Sequence, residues 1–131
     1  MERVEQIRIA EALNEAIWLR DNVSKMEKDE IKDAIIKLGT YKIFSSRQLA
    51  AIVNGEFDHG TIAKIIKKVD RTGGALNVGT LEILRNILYS RANSKTDFEL
   101  INQAIEEGNS QLMISKLTGV SQSSISRRRN G

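Results

Sequence analysis

The chain has 131 residues with no cysteine, no proline and 5% aromatics; this excludes disulfides and cysteine-based zinc sites and favours helices over a β-sandwich. Hydrophobic residues make up 40%, enough for a core in one or two small domains, and with no membrane-length apolar run and no signal peptide a cytoplasmic protein is expected. The net charge of +3 and pI of about 9.3 permit nucleic-acid binding without requiring it, so the case depends on where the charges sit.

Glu2 to about Val23 reads as one long helix. Ile9, Ala12, Leu13, Ala16, Ile17, Leu19 and Val23 form its apolar arc, with Glu11, Asn14, Glu15, Asp21 and Asn22 opposite. Val4, Ile7 and Trp18 fall off that arc. Two readings stand: another part of the chain covers them, or they form a self-association surface. Ser24-Lys25-Met26-Glu27 is a capping box that starts a second helix, in which Ile31, Ile35 and Leu38 repeat at helical spacing and which Gly39 ends. Thr40 to Phe44 is expected to be an extended connector.

Ser45-Ser46-Arg47-Gln48 is another capping box, with Phe44 and Leu49 placed as a hydrophobic staple. This helix runs to Val53, and Asn54-Gly55 breaks it. Phe57 is expected to plug the corner and Asp58 to cap a helix reaching Val69, with Ile62, Ile65, Ile66 and Val69 inward. His59, Thr61, Lys64, Lys67 and Lys68 point elsewhere. The result is helix, turn, helix over residues 45–69, with a turn about one residue longer than a second such turn around Gly119. After the Thr72-Gly73-Gly74 loop, Leu76, Val78, Leu81, Leu84, Ile87 and Leu88 define a further amphipathic helix. Arg91 to Lys95 reads as a hinge, and Thr96-Asp97-Phe98-Glu99 as a box opening a helix that buries Phe98, Ile101 and Ile105 and closes at Gly108.

The last stretch carries most of the functional information. Ser110 or Gln111 opens a short helix with Met113, Ile114 and Leu117 on one side. Gly119 supplies a turn that tolerates a left-handed backbone, and Val120 plugs the angle. Ser121 caps a helix from Gln122 to about Arg129 that turns Ile125 inward and Gln122, Ser123, Ser126 and Arg127 outward. Two short helices with a glycine at the bend form a helix-turn-helix, whose second helix fits the DNA major groove.

The run Leu117-Thr118-Gly119-Val120-Ser121-Gln122-Ser123-Ser124-Ile125-Ser126-Arg127 resembles the lambda-repressor-like (Cro/Xre-type) helix-turn-helix family. Asn77-Val78-Gly79-Thr80-Leu81 after a glycine loop also resembles the segment after the recognition helix in that family, which supports the first unit. The resemblance implies a sequence-specific regulator of double-stranded DNA, of the repressor type found in phages and mobile elements. It ends at Asn130-Gly131, where larger family members continue. The expected DNA contacts are Ser121, Gln122, Ser123, Ser126, Arg127, Arg128 and Arg129, joined by His59, Thr61, Lys64 and Lys68 from the first unit. Arg127 suits a guanine and Gln122 an adenine, whereas Arg128 lies nearer the Ile125 side, where the family usually carries an apolar residue.

The expected architecture is all-α: a helical domain over 1–93 and a three-helix domain over 94–131, small enough to need packing from the rest of the chain, a second subunit or DNA. His59 is the single histidine and lacks clustered acids, so neither metal nor cofactor is expected. With no nucleophile beside a base and no phosphate-cradling loop, the chain is not expected to be an enzyme. Two readers on one chain favour a monomer on an asymmetric site over a homodimer through Val4, Ile7 and Trp18. Two other classes stay open: an accessory DNA-binder for recombination, partition or plasmid transfer, and an antitoxin-like protein-interaction module.

Overall fold

A computed structural model of the chain describes the backbone of residues 3–66, 76–92 and 98–130, with side chains over 4–66, 76–90 and 98–127. The fold is all-α. Eight α-helices occur among the described residues: α1 (Arg3–Asn22), α2 (Lys28–Gly39), α3 (Ser46–Ile52), α4 (His59–Ile65), α5 (Leu81–Ala92), α6 (Phe98–Glu106), α7 (Gln111–Thr118) and α8 (Gln122–Asn130). None of them is long and apolar enough to cross a membrane.

α1 is the spine. Its apolar arc is buried at Ile9, Ala12, Leu13, Ala16, Leu19 and Val23, as its spacing predicts, and Ala10 and Gln6 join it. α1 packs most extensively on α5, and also on α2 and α3; α5 in turn carries α6 and α7. One continuous set of buried side chains therefore runs from Ile9 to Ile125. The C-terminal helices obtain their missing packing surface from α5 of the same chain. The expected boundary at 93/94, most of the expected hinge and the Thr96-Asp97 start of the box lie outside the described residues.

Three local expectations need correction. The second helix does not start at Ser24. Val23–Lys25 form a single 3-10 turn that keeps Val23 buried, and the capping box lies three residues on, between Glu27 and Glu30. The helix after Asp58 stops at Ile65, and Ile66 is already extended at φ −101°, ψ 128°; Lys67, Lys68 and Val69 lie outside the described residues. Thr40 to Phe44 is a compact turn with Lys42 at φ 59°, which lets Ile43 and Phe44 both reach the core. Gly39 is the last residue of α2 and serves close approach: a Cβ there would meet Ile66 Cγ2 at 2.6 Å. Gly39→Ala is accordingly expected to destabilise the fold by about 1–3 kcal/mol in thermal melting, because a branched side chain cannot swing aside.

An ion pair fixes α1 on α5. Arg20 Nη2 donates to Glu82 Oε1 at 2.6 Å, and Nη1 donates to the Val78 carbonyl at 2.8 Å. The hydrogen bond from Arg20 holds the Glu82 carboxyl below its ordinary value. A carboxyl lowered in the folded state stabilises fully above its unfolded pKa and loses that contribution as pH falls through the folded value. Melting temperature is therefore expected to drop as pH is lowered below about 4.5, and Glu82→Gln should flatten that dependence. An identical acid limb in the variant would show that the pair contributes nothing there.

Candidate nucleic-acid interface

The α7–α8 pair is built from short-range hydrogen bonds on a buried floor. Ser110 Oγ accepts from Met113 N at 3.1 Å and starts α7. Met113, Ile114, Leu117 and Thr118 face the core. Gly119 sits at φ 76°, ψ 2°, and its N–H reaches the Ser115 carbonyl at 2.8 Å, a left-handed stop that glycine adopts without strain. Val120 is buried in the corner. Ser121 Oγ accepts from Ser124 N at 3.2 Å and also bonds the Ser124 hydroxyl at 2.8 Å. Ile125 is completely buried and seats α8, which touches both α6 and α7.

This leaves one polar face outward. Ser121, Gln122, Ser123 and Arg127 are exposed, and Ser126 is half-buried at the edge of that face. Arg128 and Arg129 continue α8, with side chains outside the described residues. Among the described residues no acidic side chain pairs with Arg127. The charge distribution of the chain explains why. From Gly108 to Gly131 the sequence carries Lys116, Arg127, Arg128 and Arg129 and no acid, whereas residues 1–107 hold sixteen lysines and arginines against seventeen acids. The basic excess of the whole chain thus belongs to the α7–α8 end.

The other helix pair differs in detail. Ser45 and Gln48 form the expected reciprocal box, at 2.9 and 3.2 Å, and Phe44 and Leu49 are both buried. The turn, however, spans residues 53–58, against 119–121 for α7–α8. The difference is three residues rather than one, because Asn54 and Gly55 are both left-handed, at φ 54° and 76°. Phe57 is only half-buried. Lys28 Nζ lies 4.9 Å from its ring and donates to the Glu56 carbonyl at 2.7 Å. Asp58 caps α4 by accepting from Thr61 N at 2.8 Å, and hydrogen bonds from the Thr61 side chain and backbone hold its carboxyl below the ordinary range. His59, Thr61 and Lys64 are exposed on a helix of seven residues, beside the exposed acids Glu56 and Asp58. Lys68 lies outside the described residues.

One support escaped the sequence reading. Asn109 is 4% exposed. Its carbonyl accepts from Asn77 N at 3.2 Å, and its amide donates to the Ala104 carbonyl at 3.0 Å and to the Thr80 hydroxyl. Asn77 in turn donates its side-chain amide to the Glu107 carbonyl. This network ties the turn before α5 to the α6–α7 corner and so positions α7 and α8 on the rest of the chain. A polar residue directly after Gly108 was the only local hint, and two of its three partners, Asn77 and Thr80, lie about thirty positions away. Among the described residues no group of acids and histidine is arranged to hold a metal ion. Comparison with protein-family models, curated proteins and solved structures finds no significant match for the chain, so its functional reading rests on these residues alone.

Proposed function

We propose that the chain is a sequence-specific double-stranded DNA-binding regulator, of repressor type, that reads the major groove with α8. The observation that carries this is the exposed Gln122, Ser123 and Arg127 face of a helix seated by Ile125, at the one end of the chain that is basic and free of acids. A helix of this width fits the major groove, where a guanidinium matches the two acceptors of guanine and a side-chain amide matches adenine. Arg127 takes the first role and Gln122 the second. Ser121, Ser126, Arg128 and Arg129 suit phosphate contacts, which set register and supply most of the salt-dependent affinity. The exposed face of α4 is a poorer reader, since it spans only two turns and stands beside Glu56 and Asp58.

Selection of bound sequences from a random duplex pool tests this reading. The expected result is a defined consensus whose binding weakens steeply with salt. Failure to enrich any sequence, together with salt-independent or absent duplex binding, would overturn it in favour of a helical protein-interaction module. Genome-wide occupancy would then separate a promoter-directed regulator from an accessory factor for recombination, partition or transfer.

A further inference from the structure

Along α1, Val4, Ile7, Glu11, Asn14 and Trp18 recur at alternating intervals of three and four, the spacing of a coiled-coil seam. Its apolar members stay exposed among the described residues: Val4 is 74% exposed, Ile7 37% and Trp18 55%. Glu11 is exposed and Asn14 half-buried between them. Beside Trp18 a groove of about 310 Å³ runs between α1 and α2, floored by Leu19, Ala34 and Leu38 and edged by Glu15 and Lys37.

We propose that this stripe is the interface of a symmetric dimer, in which α1 of a second copy packs antiparallel on α1. Charge decides the orientation. A parallel pair sets Glu11 on the second copy's Glu11. The antiparallel register in which the two 20-residue helices overlap along their whole length instead sets Ile7 on the second copy's Trp18 and Glu11 on its Asn14, each twice by symmetry. Asn14 has the capacity for this. Its carbonyl accepts from Arg85 Nη1 at 3.0 Å and its amide donates to the Tyr89 hydroxyl at 2.9 Å, which leaves one amide hydrogen for the Glu11 carboxylate. In the same register Arg8, which within its own chain pairs with Glu5 and donates to the Tyr41 carbonyl, and the second copy's Glu15, which pairs with Lys37, flank the seam as opposite charges, on side chains 40% and 30% exposed. Sliding the helices so that Val4 meets Trp18 brings the two Glu11 carboxylates together and loses this match. Two helices of 20 residues in contact along one stripe bury on the order of 1,000 Å² in total, the lower end of specific interfaces, so dissociation in the micromolar range is expected. The inference goes beyond the proposed function and is tested without DNA.

Trp18 is the single tryptophan, so its emission reports the contact directly. In the 131-residue chain, sedimentation equilibrium from about 5 to 500 µM is expected to show mass rising from one chain to two, with a parallel blue shift of emission. Trp18→Ala, at an exposed position that leaves folding intact, should weaken association about tenfold or more. The charge pattern has its own test. Arg8→Glu and Glu15→Arg each create like-charge flanks in their own homodimers and should be monomeric, but an equimolar mixture of the two should dimerise, because both flanks are then opposite in charge. Helical circular dichroism checks that each variant folds. A wild-type chain that stays monomeric with unchanged emission over the whole range would overturn the dimer. Association that ignores Trp18→Ala would overturn the interface, and folded charge variants whose mixture stays monomeric would overturn the antiparallel register.

Discussion

Ile125→Ala is expected to lower stability by about 2–5 kcal/mol, the cost of emptying a completely enclosed aliphatic site. The residue is the only apolar one in the nine positions of α8, and it has no solvent exposure. A helix this short is not stable alone in water and depends on its docked face. Removing the side chain from Cγ outward deletes that docking while leaving the serines and arginines untouched. Thermal denaturation followed by circular dichroism should show a melting temperature lower by roughly 6–20 °C, and amide exchange should speed up first in α7 and α8. Ser123→Ala, on the exposed face, should stay within about 0.5 kcal/mol of wild type. Equal melting and equal exchange for the two variants would show that Ile125 does not seat the helix.

Arg127→Ala is expected to weaken binding to the selected duplex by about 1–3 kcal/mol, roughly 5- to 150-fold, and to relax preference at one base position. The magnitude reflects the loss of a two-point contact that an alanine methyl cannot replace. Arg127→Lys should recover little of the base preference, since an ammonium presents no planar fork. Folding should be unaffected, because the side chain is exposed. The measurement is a set of binding curves on the consensus and on single-base variants at several salt concentrations. Uniform weakening across all sequences, with a salt slope smaller by about one, would assign Arg127 to a phosphate instead. Unchanged affinity and unchanged preference would remove it from the reading surface.

Much of the local structure was legible because its causes lie within a few residues. Ser45 with Gln48, Ser110 with Met113 and Ser121 with Ser124 are contacts three positions apart, and Gly119 carries its left-handed turn by lacking a Cβ. The same locality misled at Ser24: two overlapping box patterns share Glu27, and burial of Val23 decided between them. The end of α4 was likewise invisible, since an unbroken isoleucine spacing continues past Ile65 while the backbone there turns extended to set Ile66 against Gly39.

The sequence by itself therefore determined the all-helical class, the caps of α3, α4, α7 and α8 and the outward face of α8, all of which arise from propensity, periodicity and hydrogen bonds between near neighbours. Only the tertiary structure decided how those pieces bear on one another. It showed that α5 supplies the floor for α6 and α7, and that Asn77, Thr80 and Asn109 join segments about thirty residues apart. It also showed that Val4, Ile7 and Trp18 stay exposed among the described residues. Burial and long-range hydrogen bonding depend on which elements meet in space, and a pattern that repeats every three or four residues specifies a face without specifying what packs against it.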